Sequence, residues 1–331
     1  MESTGPRNLI DEQGRSITNL RVSITDRCNL RCTYCIPEDA TFLPEIMSVN
    51  QIIKFVEAAV GVGVTKVRIT GGEPLMRREL PEIITRLSEL DDDLDIGLTT
   101  NGIFLANQTK TLYDAGLRRI NVSLDTLDEE VFGKIARREG LTGVMEGLRE
   151  AQEVGFDPIK INSVVMKGVN DEEVVALAEL SREEPFEVRF IEFMPLDGEH
   201  HWSGGKVVIG SEILSRIGKK YPLEPLPSNG SVAPAKLYRF LDGKGQFGII
   251  PSVSQPFCDT CNRVRLTADG KLRTCLFSLD ETDFMDLLSD DESQEQIKDR
   301  LLGAVWHKEP GHKIGKADFI QPERIMNSIG G

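Results

Sequence analysis

The sequence predicts an α/β fold: a partial barrel of six strand–helix units, followed by a C-terminal module carrying a second set of cysteines. Three observations lead there. Strand-length segments near 20–25, 65–70, 95–99, 118–124, 158–165 and 186–193 alternate with helix-length stretches, the signature of a parallel sheet. Doubly wound sheets share that rhythm, so the strand faces decide between the two. Arg68 with Thr70, Asn121 with Ser123 and Asp125, and Lys160 with Asn162 fall on common faces. Parallel strands covered on both sides read instead as nearly continuous apolar runs. One face therefore lines a cavity for polar ligands, which suits an open six-unit barrel better than a filled eight-stranded one. The third observation is two cysteine triplets, Cys28, Cys32 and Cys35 spaced C-x3-C-x2-C, and Cys258, Cys261 and Cys275 spaced C-x2-C-x13-C.

In chain order, residues 1–19 are polar and read as an arm, 20–196 as the barrel and 197–331 as the second module. Leu20 to Thr25 alternates, with Arg21, Ser23 and Thr25 opposite Leu20, Val22 and Ile24. Ser48 is an N-cap for a helix reaching Val60. Strands end in Thr70-Gly71-Gly72-Glu73-Pro74, Thr99-Thr100-Asn101-Gly102, Ser123-Leu124-Asp125 and Glu192-Phe193-Met194-Pro195. Each alone is an ordinary turn, but together they sit where barrel active sites are built. The sixth strand is less regular, since Arg189 and Glu192 cannot both point to one side. From Asp197 the rhythm breaks. His200-His201 read as an exposed loop, a short helix covers 211–219, and a Pro-rich connector leads to strands near 235–240 and 246–250. Ala268-Asp269-Gly270-Lys271 is a hairpin turn that swings Cys275 back beside Cys258 and Cys261. The acidic run Asp280 to Glu295 reads as a solvated helical face, and Gly330-Gly331 have no packing value of their own.

With 331 residues, 40% hydrophobic and 28% charged, the chain describes a soluble globular protein. No apolar run approaches the ~20 residues that span a bilayer. Met1 to Pro6 lack the pattern of a secretory signal, so the cytoplasm is the expected location and no membrane partner is expected. The six cysteines then read as metal ligands rather than disulfides. A net charge of −14 argues against nonspecific nucleic-acid binding.

Three converging thiolates hold three irons of a 4Fe–4S cluster and leave the fourth open, the mark of a catalytic metal. The alternative at the first triplet is a zinc site short of one ligand. At the second it is structural zinc completed by a histidine, although His307 and His312 lie far along the chain.

The first triplet resembles the signature of the radical S-adenosylmethionine (SAM) enzymes. Further stretches narrow the resemblance: Arg21 to Asn29, Arg68-Ile-Thr-Gly-Gly-Glu-Pro-Leu-Met-Arg-Arg, Leu117 to Asp125, Arg189-Phe-Ile-Glu-Phe-Met, Cys258-x2-Cys-Asn-Arg-Val-Arg-Leu and the Gly-Gly tail. These are similar to the GTP 3′,8-cyclases of molybdenum cofactor biosynthesis over residues 14–331. The segment Ile36 to Met47 is shorter than is usual there. The resemblance implies a radical SAM TIM-like partial barrel and two 4Fe–4S clusters. It implies that Cys28, Cys32 and Cys35 hold the cluster that cleaves SAM to methionine and a 5′-deoxyadenosyl radical, with Tyr34, Gly72, Glu73, Ser123 and Met194 contacting SAM. The radical takes hydrogen from C3′ of GTP, and the carbon radical attacks C8 to give 3′,8-cyclo-7,8-dihydroguanosine triphosphate. Cys258, Cys261 and Cys275 would hold the second cluster, whose open iron binds the guanine edge. Arg21, Arg68, Thr99, Lys160 and Arg263-Val264-Arg265 match GTP-binding positions. Arg263, Arg265, Gly330 and Gly331 are the expected catalytic set.

Expected partners are GTP, an external electron donor and the enzyme that takes the product towards molybdopterin; a homodimer is compatible with the sequence. The residue types suit these roles, since arginine offers a planar fork to phosphate oxygens and lysine a point charge. Two other classes are the rivals: another radical SAM enzyme with an auxiliary cluster, such as a peptide modifier, and a non-catalytic iron–sulfur or zinc protein. The basic set and the Gly-Gly tail speak against the first. Against the second, Gly-Gly-Glu-Pro and an open iron would serve no purpose there.

Overall fold

The computed structural model describes residues 8–199, 202–227, 233–289 and 291–330. His200, His201 and Gly331 lie outside the described residues. Six parallel strands stand side by side in chain order: β1 (Asn19–Ser23), β2 (Lys66–Thr70), β3 (Asp95–Thr100), β4 (Arg119–Ser123), β5 (Ile159–Val165) and β6 (Phe186–Glu192). Helices α1 (Val49–Val60), α2 (Leu80–Ser88), α3 (Thr109–Asp114), α4 (Glu129–Ala136), α5 (Leu141–Val154) and α6 (Val174–Glu183) return the chain between them. After these come α7 (Gly210–Lys220), β7 (Leu223–Pro225), β8 (Lys236–Phe240), β9 (Gln246–Ile250), β10 (Arg263–Leu266), β11 (Lys271–Arg273), β12 (Thr282–Asp283), α8 (Gln294–Trp306) and α9 (Met326–Ile329).

The sheet does not close. Its order is β12-β11-β10-β1-β2-β3-β4-β5-β6-β9-β8-β7. The second module thus extends the barrel at both edges, with β10 parallel to β1 and β9 parallel to β6.

Local chemistry explains the elements. Ser48 caps α1 through a capping box with Gln51, and Ile52, Phe55, Val56 and Ala59 form its buried stripe. On β5, Ile159, Ile161, Ser163 and Val165 are buried against the helical layer, while Lys160, Asn162 and Val164 face the other way. The parity conflict on β6 is resolved in the same manner. Arg189 and Ile191 face the cavity, whereas Glu192 points out and accepts from the N–H groups of Gly210, Val253 and Ser254 at 2.7–2.8 Å. Phe55 meets Phe284 edge-on at 5.0 Å between ring centres, tying α1 to the second module. Truncating either ring to alanine costs about 3–5 kcal/mol.

Two stretches differ from their sequence reading. Residues 8–18 pack against the barrel instead of projecting: Leu9 and Ile17 are core residues, and Asp11 and Arg15 pair internally at 2.6 Å. The run Asp280 to Glu295 is mostly not helical, because Phe284, Leu287 and Leu288 interrupt it and are buried. The helix begins at Gln294, where Ser293 and Gln296 form a capping box. The hairpin at 268–271 forms as expected between β10 and β11, with Gly270 at φ +74°.

Candidate active site

Both cysteine triplets open onto one cavity of about 310 Å³, whose wall also carries Arg21, Thr99, Asn121, Ser123, Asn162, Arg189, Arg263 and Arg265. Register explains the basic wall. Arg265, Arg21 and Arg68 occupy matching positions on β10, β1 and β2, followed by Gly97 and Arg119. Gly97 is the gap in that row, since a Cβ there would sit 2.5 Å from Nη1 of Arg68. The guanidinium of Arg68 therefore crosses β3 and donates to Asn121 at 3.2 Å. Lower on the wall, charges are balanced: Arg119 pairs with Asp95 at 2.9 Å and Arg189 with Glu187 at 2.6 Å. Among the described residues no carboxylate pairs with Arg21, Arg68, Arg263 or Arg265. Burial and neighbouring guanidinium groups hold Arg21 well below its usual range, Arg68 at about 10 and Arg265 at about 9. Such a set is complementary to a polyanion.

The first triplet is fixed by the Gly-Gly-Glu-Pro loop. The N–H groups of Gly72 and Glu73 donate to the carbonyls of Thr25 and Arg27 at 2.8 and 2.7 Å, and a Cβ at Gly72 would lie 2.3 Å from the Arg27 oxygen. Only glycine permits that approach. Glu73 is fully buried and accepts from Leu75 N–H (2.9 Å), Thr100 hydroxyl (2.8 Å) and Asn101 N–H (2.6 Å), while burial pushes its carboxyl up to about 7. Asn101 in turn donates to Asn29 at 2.8 Å and reaches Cys28 Sγ at 3.8 Å. Tyr34 donates to Asp125 at 2.7 Å, and Asp125 also accepts from Val164 N–H at 2.8 Å. Burial pushes the Cys28 thiol up to about 11, and Cys32 and Cys35 upward as well.

The second triplet is electrostatically different. Burial pushes the Cys261 thiol up, but Arg263 and Lys308 outweigh it and bring it to about 7. Cys275 is raised by burial. His312 lines the cavity, yet both ring nitrogens are engaged, one with the Ser252 carbonyl (2.9 Å) and one accepting from Ile314 N–H (3.3 Å). It is no ready ligand. All six cysteines are free, and among the described residues no three metal-binding side chains converge on a point that one ion could occupy. Each site offers three thiolates, and His312, the histidine on the cavity wall, is engaged elsewhere, so the donor set suits a cluster with one open iron better than tetrahedral zinc.

Tyr34, Gly72, Ser123, Met194, Arg21, Thr99, Arg263 and Arg265 line the cavity with the six cysteines. Arg68, Lys160, Glu73, Val264 and Gly330 are not among its lining residues. Val264 lies between two lumenal arginines, so its side chain is in the core. Lys160 sits beside Arg189, with burial and that neighbour lowering it to about 8. Gly330 is buried at φ +84°, and its carbonyl accepts from Arg265. Residues 326–330 thus pack into the barrel, contrary to the reading that the Gly-Gly end has no packing value. Asp125, Asn101, Asn121, Asn162 and Arg189 were absent from the expected ligand set. Strand parity was the signal for Asp125, Asn121 and Asn162, and position in the Thr-Thr-Asn-Gly loop was the signal for Asn101.

Residues 22–181 match the model of the radical SAM superfamily, and residues 186–314 match that of molybdenum cofactor synthesis C. Among solved structures, the fold is similar to SuiB of Streptococcus suis bound to S-adenosylmethionine (TM-score 0.60, 16% identity, covering 87% of this chain and 69% of that one). It is also similar to histidine-tagged anSMEcpe with bound AdoMet (TM-score 0.57, 16% identity, 86% and 76%). The fold and site are therefore those of a radical SAM enzyme. At higher similarity stand a protein of Corynebacterium glutamicum, 44% identical over 99% of this chain and 90% of its own, and one of Streptomyces coelicolor, 44% identical over 99% and 97%. A third, from Mycobacterium ulcerans, is 42% identical over 100% and 94%. Each is named GTP 3′,8-cyclase, and this chain belongs to that family. The cofactors of the family are SAM and two 4Fe–4S clusters. Among the described residues no helix is long and apolar enough to cross a membrane.

Proposed function

We propose that this chain converts GTP to 3′,8-cyclo-7,8-dihydroguanosine triphosphate, the first step of molybdenum cofactor biosynthesis. One observation carries the reading: a single cavity joins both cysteine triplets, and its wall carries Arg21, Arg263 and Arg265, which have no carboxylate partner among the described residues. Cys28, Cys32 and Cys35 would hold the SAM-binding cluster, and Cys258, Cys261 and Cys275 the second. When bound, the first cluster and SAM supply the radical chemistry. The chain's own residues bind, orient and shield. Ser123, Met194, Tyr34 and the backbone of Gly72 face SAM. Glu73 serves by holding the Gly72 loop against Asn101, since three donors already occupy its carboxylate. Arg21, Arg263 and Arg265 take the triphosphate from the wall, with Arg68 and Lys160 supporting from beside it and Thr99 at the rim. Val264 can contribute only backbone. Gly330 helps position the nucleotide indirectly, by holding Arg265 through its carbonyl; Gly331 is assigned to the same role on the resemblance alone.

The functional division falls near residue 196, with the barrel at 20–196, the auxiliary module at 197–331 and residues 8–19 acting as a brace. An external electron donor and an enzyme consuming the product complete the reading. The test is anaerobic incubation of reconstituted protein with SAM, reductant and GTP, with identification of the nucleotide. The cyclised triphosphate supports the proposal. SAM cleavage without any nucleotide product in the presence of GTP would refute it.

A further inference from the structure

Lys308 has no part in the reaction proposed above, yet it is only 3% exposed. Its Nζ donates to the carbonyls of Arg263 (3.0 Å) and Thr274, the former two residues beyond Cys261 and the latter immediately before Cys275. No carboxylate among the described residues pairs with it. Its neighbour Glu309 turns instead to the hydroxyls of Thr274 (2.7 Å) and Ser278, and Ser278 accepts from the N–H of Cys275 at 3.0 Å. The segment is held from behind by Arg15, which donates to the carbonyls of Cys258 (2.8 Å), Glu309 (2.7 Å) and Pro310 (3.1 Å) and pairs with Asp11. All three cysteines of the second triplet are thus stitched to residues 308–310.

A buried cation with no counter-charge is costly, and a fold tolerates it where negative charge arrives in another form. Three thiolates are that form. The carbonyls that hold the Lys308 ammonium belong to residues two positions after Cys261 and immediately before Cys275, so the charge is fixed beside both ligands. The other charges packed nearby are either paired, as Arg273 with Glu281 and Arg15 with Asp11, or shared with the substrate cavity, as Arg263 and Arg265. Lys308 does not line that cavity, so it is not a substrate-binding cation there.

Around the first triplet the pattern reverses. The buried charged groups there are carboxylates: Glu73 holds the N–H of Asn101, whose amide reaches Cys28 Sγ, and Asp125 accepts from Tyr34, the residue before Cys35. The nearby cations, Arg31 and Arg137, are half-exposed, and Arg137 is engaged with Glu199. Cluster potential follows net charge, hydrogen bonding to sulfur and solvent exposure, so the two sites should differ.

We propose that Lys308 is a positioning residue whose charge is the fixed counter-ion of the second cluster, holding that cluster's reduction potential above that of the first. This rests on reading the second triplet as a cluster site. The test uses the full chain, reconstituted anaerobically, as wild type, Lys308→Gln (donor kept, charge lost) and Lys308→Arg (charge kept). Iron, sulfide and zinc are counted, and each cluster is titrated by electron paramagnetic resonance with and without SAM, whose addition identifies the first cluster's signal.

The expected result is a lower midpoint for the second cluster in Lys308→Gln, with an unchanged first cluster and recovery in Lys308→Arg. Loss of second-cluster iron in Lys308→Gln with retention in Lys308→Arg also supports the proposal. An unchanged second midpoint in Lys308→Gln, or equal cluster loss in both variants, assigns Lys308 to tethering and overturns it. Stoichiometric zinc in the wild type would overturn the cluster reading itself.

Discussion

Gly330→Ala isolates the contribution of the 326–330 segment. At φ +84° an alanine carries about 1–2 kcal/mol of backbone strain. Its Cβ would lie 2.2 Å from Ser23 Oγ and 2.8 Å from Thr70 Cγ2, so the segment must shift. A shift breaks the bond from Arg265 to the Gly330 carbonyl, worth about 1.5–3 kcal/mol for a charged donor. Together these amount to ~2.5–5 kcal/mol against the seated state, or roughly sixty- to several-thousand-fold at ~1.4 kcal/mol per tenfold. Deoxyadenosine, cyclised nucleotide and GTP affinity are measured separately. SAM cleavage and most GTP affinity should survive, while cyclised product per SAM cleaved falls at least ~60-fold. Adding Ser23→Ala removes the closest contact and should restore part of the loss. Cyclisation at the wild-type ratio by Gly330→Ala would show that the seated segment is irrelevant to catalysis.

Cys261→Ser should lower iron from about eight to about four per chain, sparing SAM cleavage at the first triplet; metal analysis and deoxyadenosine assays check both. Lys160→Ala should weaken GTP binding by about 1.5–3 kcal/mol without stopping SAM cleavage. Because burial lowers Lys160 to about 8, its cation is present below that pH and lost above it. GTP affinity should therefore fall as pH rises through about 8 in the wild type, and Lys160→Arg should move the fall to higher pH. Gly72→Ala forces a Cβ to within 2.3 Å of a backbone oxygen in the loop preceding Cys28. It should cost iron at the first triplet and SAM binding while the second cluster remains, as spectroscopy of the reconstituted variant would report.

Features governed by local period were legible before the structure. Ser48 announced α1, alternation placed Arg21, Asn121 and Asn162 on the cavity wall, and the Arg189–Glu192 parity conflict correctly marked side chains with opposite destinations. The same parity would have removed the Val264 side chain from the GTP set, since a residue between two lumenal arginines must face the core. What stayed hidden depends on contacts between distant residues. Arg15 and Cys258 are 243 residues apart, and nothing in the polar run before β1 signals that Arg15 is buried. Gly330 looks free because its neighbours, Ser23, Thr70 and Arg265, arrive from three other strands. The acidic run misled for the opposite reason. Its carboxylates suggested a solvated face, but three apolar residues among them determined where the backbone went.

The net charge of −14 and the basic cavity are compatible once register is considered. Arg265, Arg21 and Arg68 are aligned across β10, β1 and β2, so the site exists only because the second module adds its strand to the barrel edge. The break in rhythm after residue 196 is therefore not a break in the site. Arg265 and Arg21 stand on adjacent strands about 5 Å apart while Arg68 turns across β3 to Asn121, so the guanidinium groups are spread along the wall, an arrangement that suits a chain of phosphates better than one. Like charges held this close destabilise the empty fold, and burial raises that cost. An acidic exterior leaves this penalty in place, because exposed charges beyond ~8–10 Å are screened by salt and do not neutralise buried ones. The thiolates of Cys261 and Cys275 offset part of it, and an anion entering the cavity relieves more, so a polyphosphate should bind the wall more tightly than it would the same arginines spread over an exposed surface.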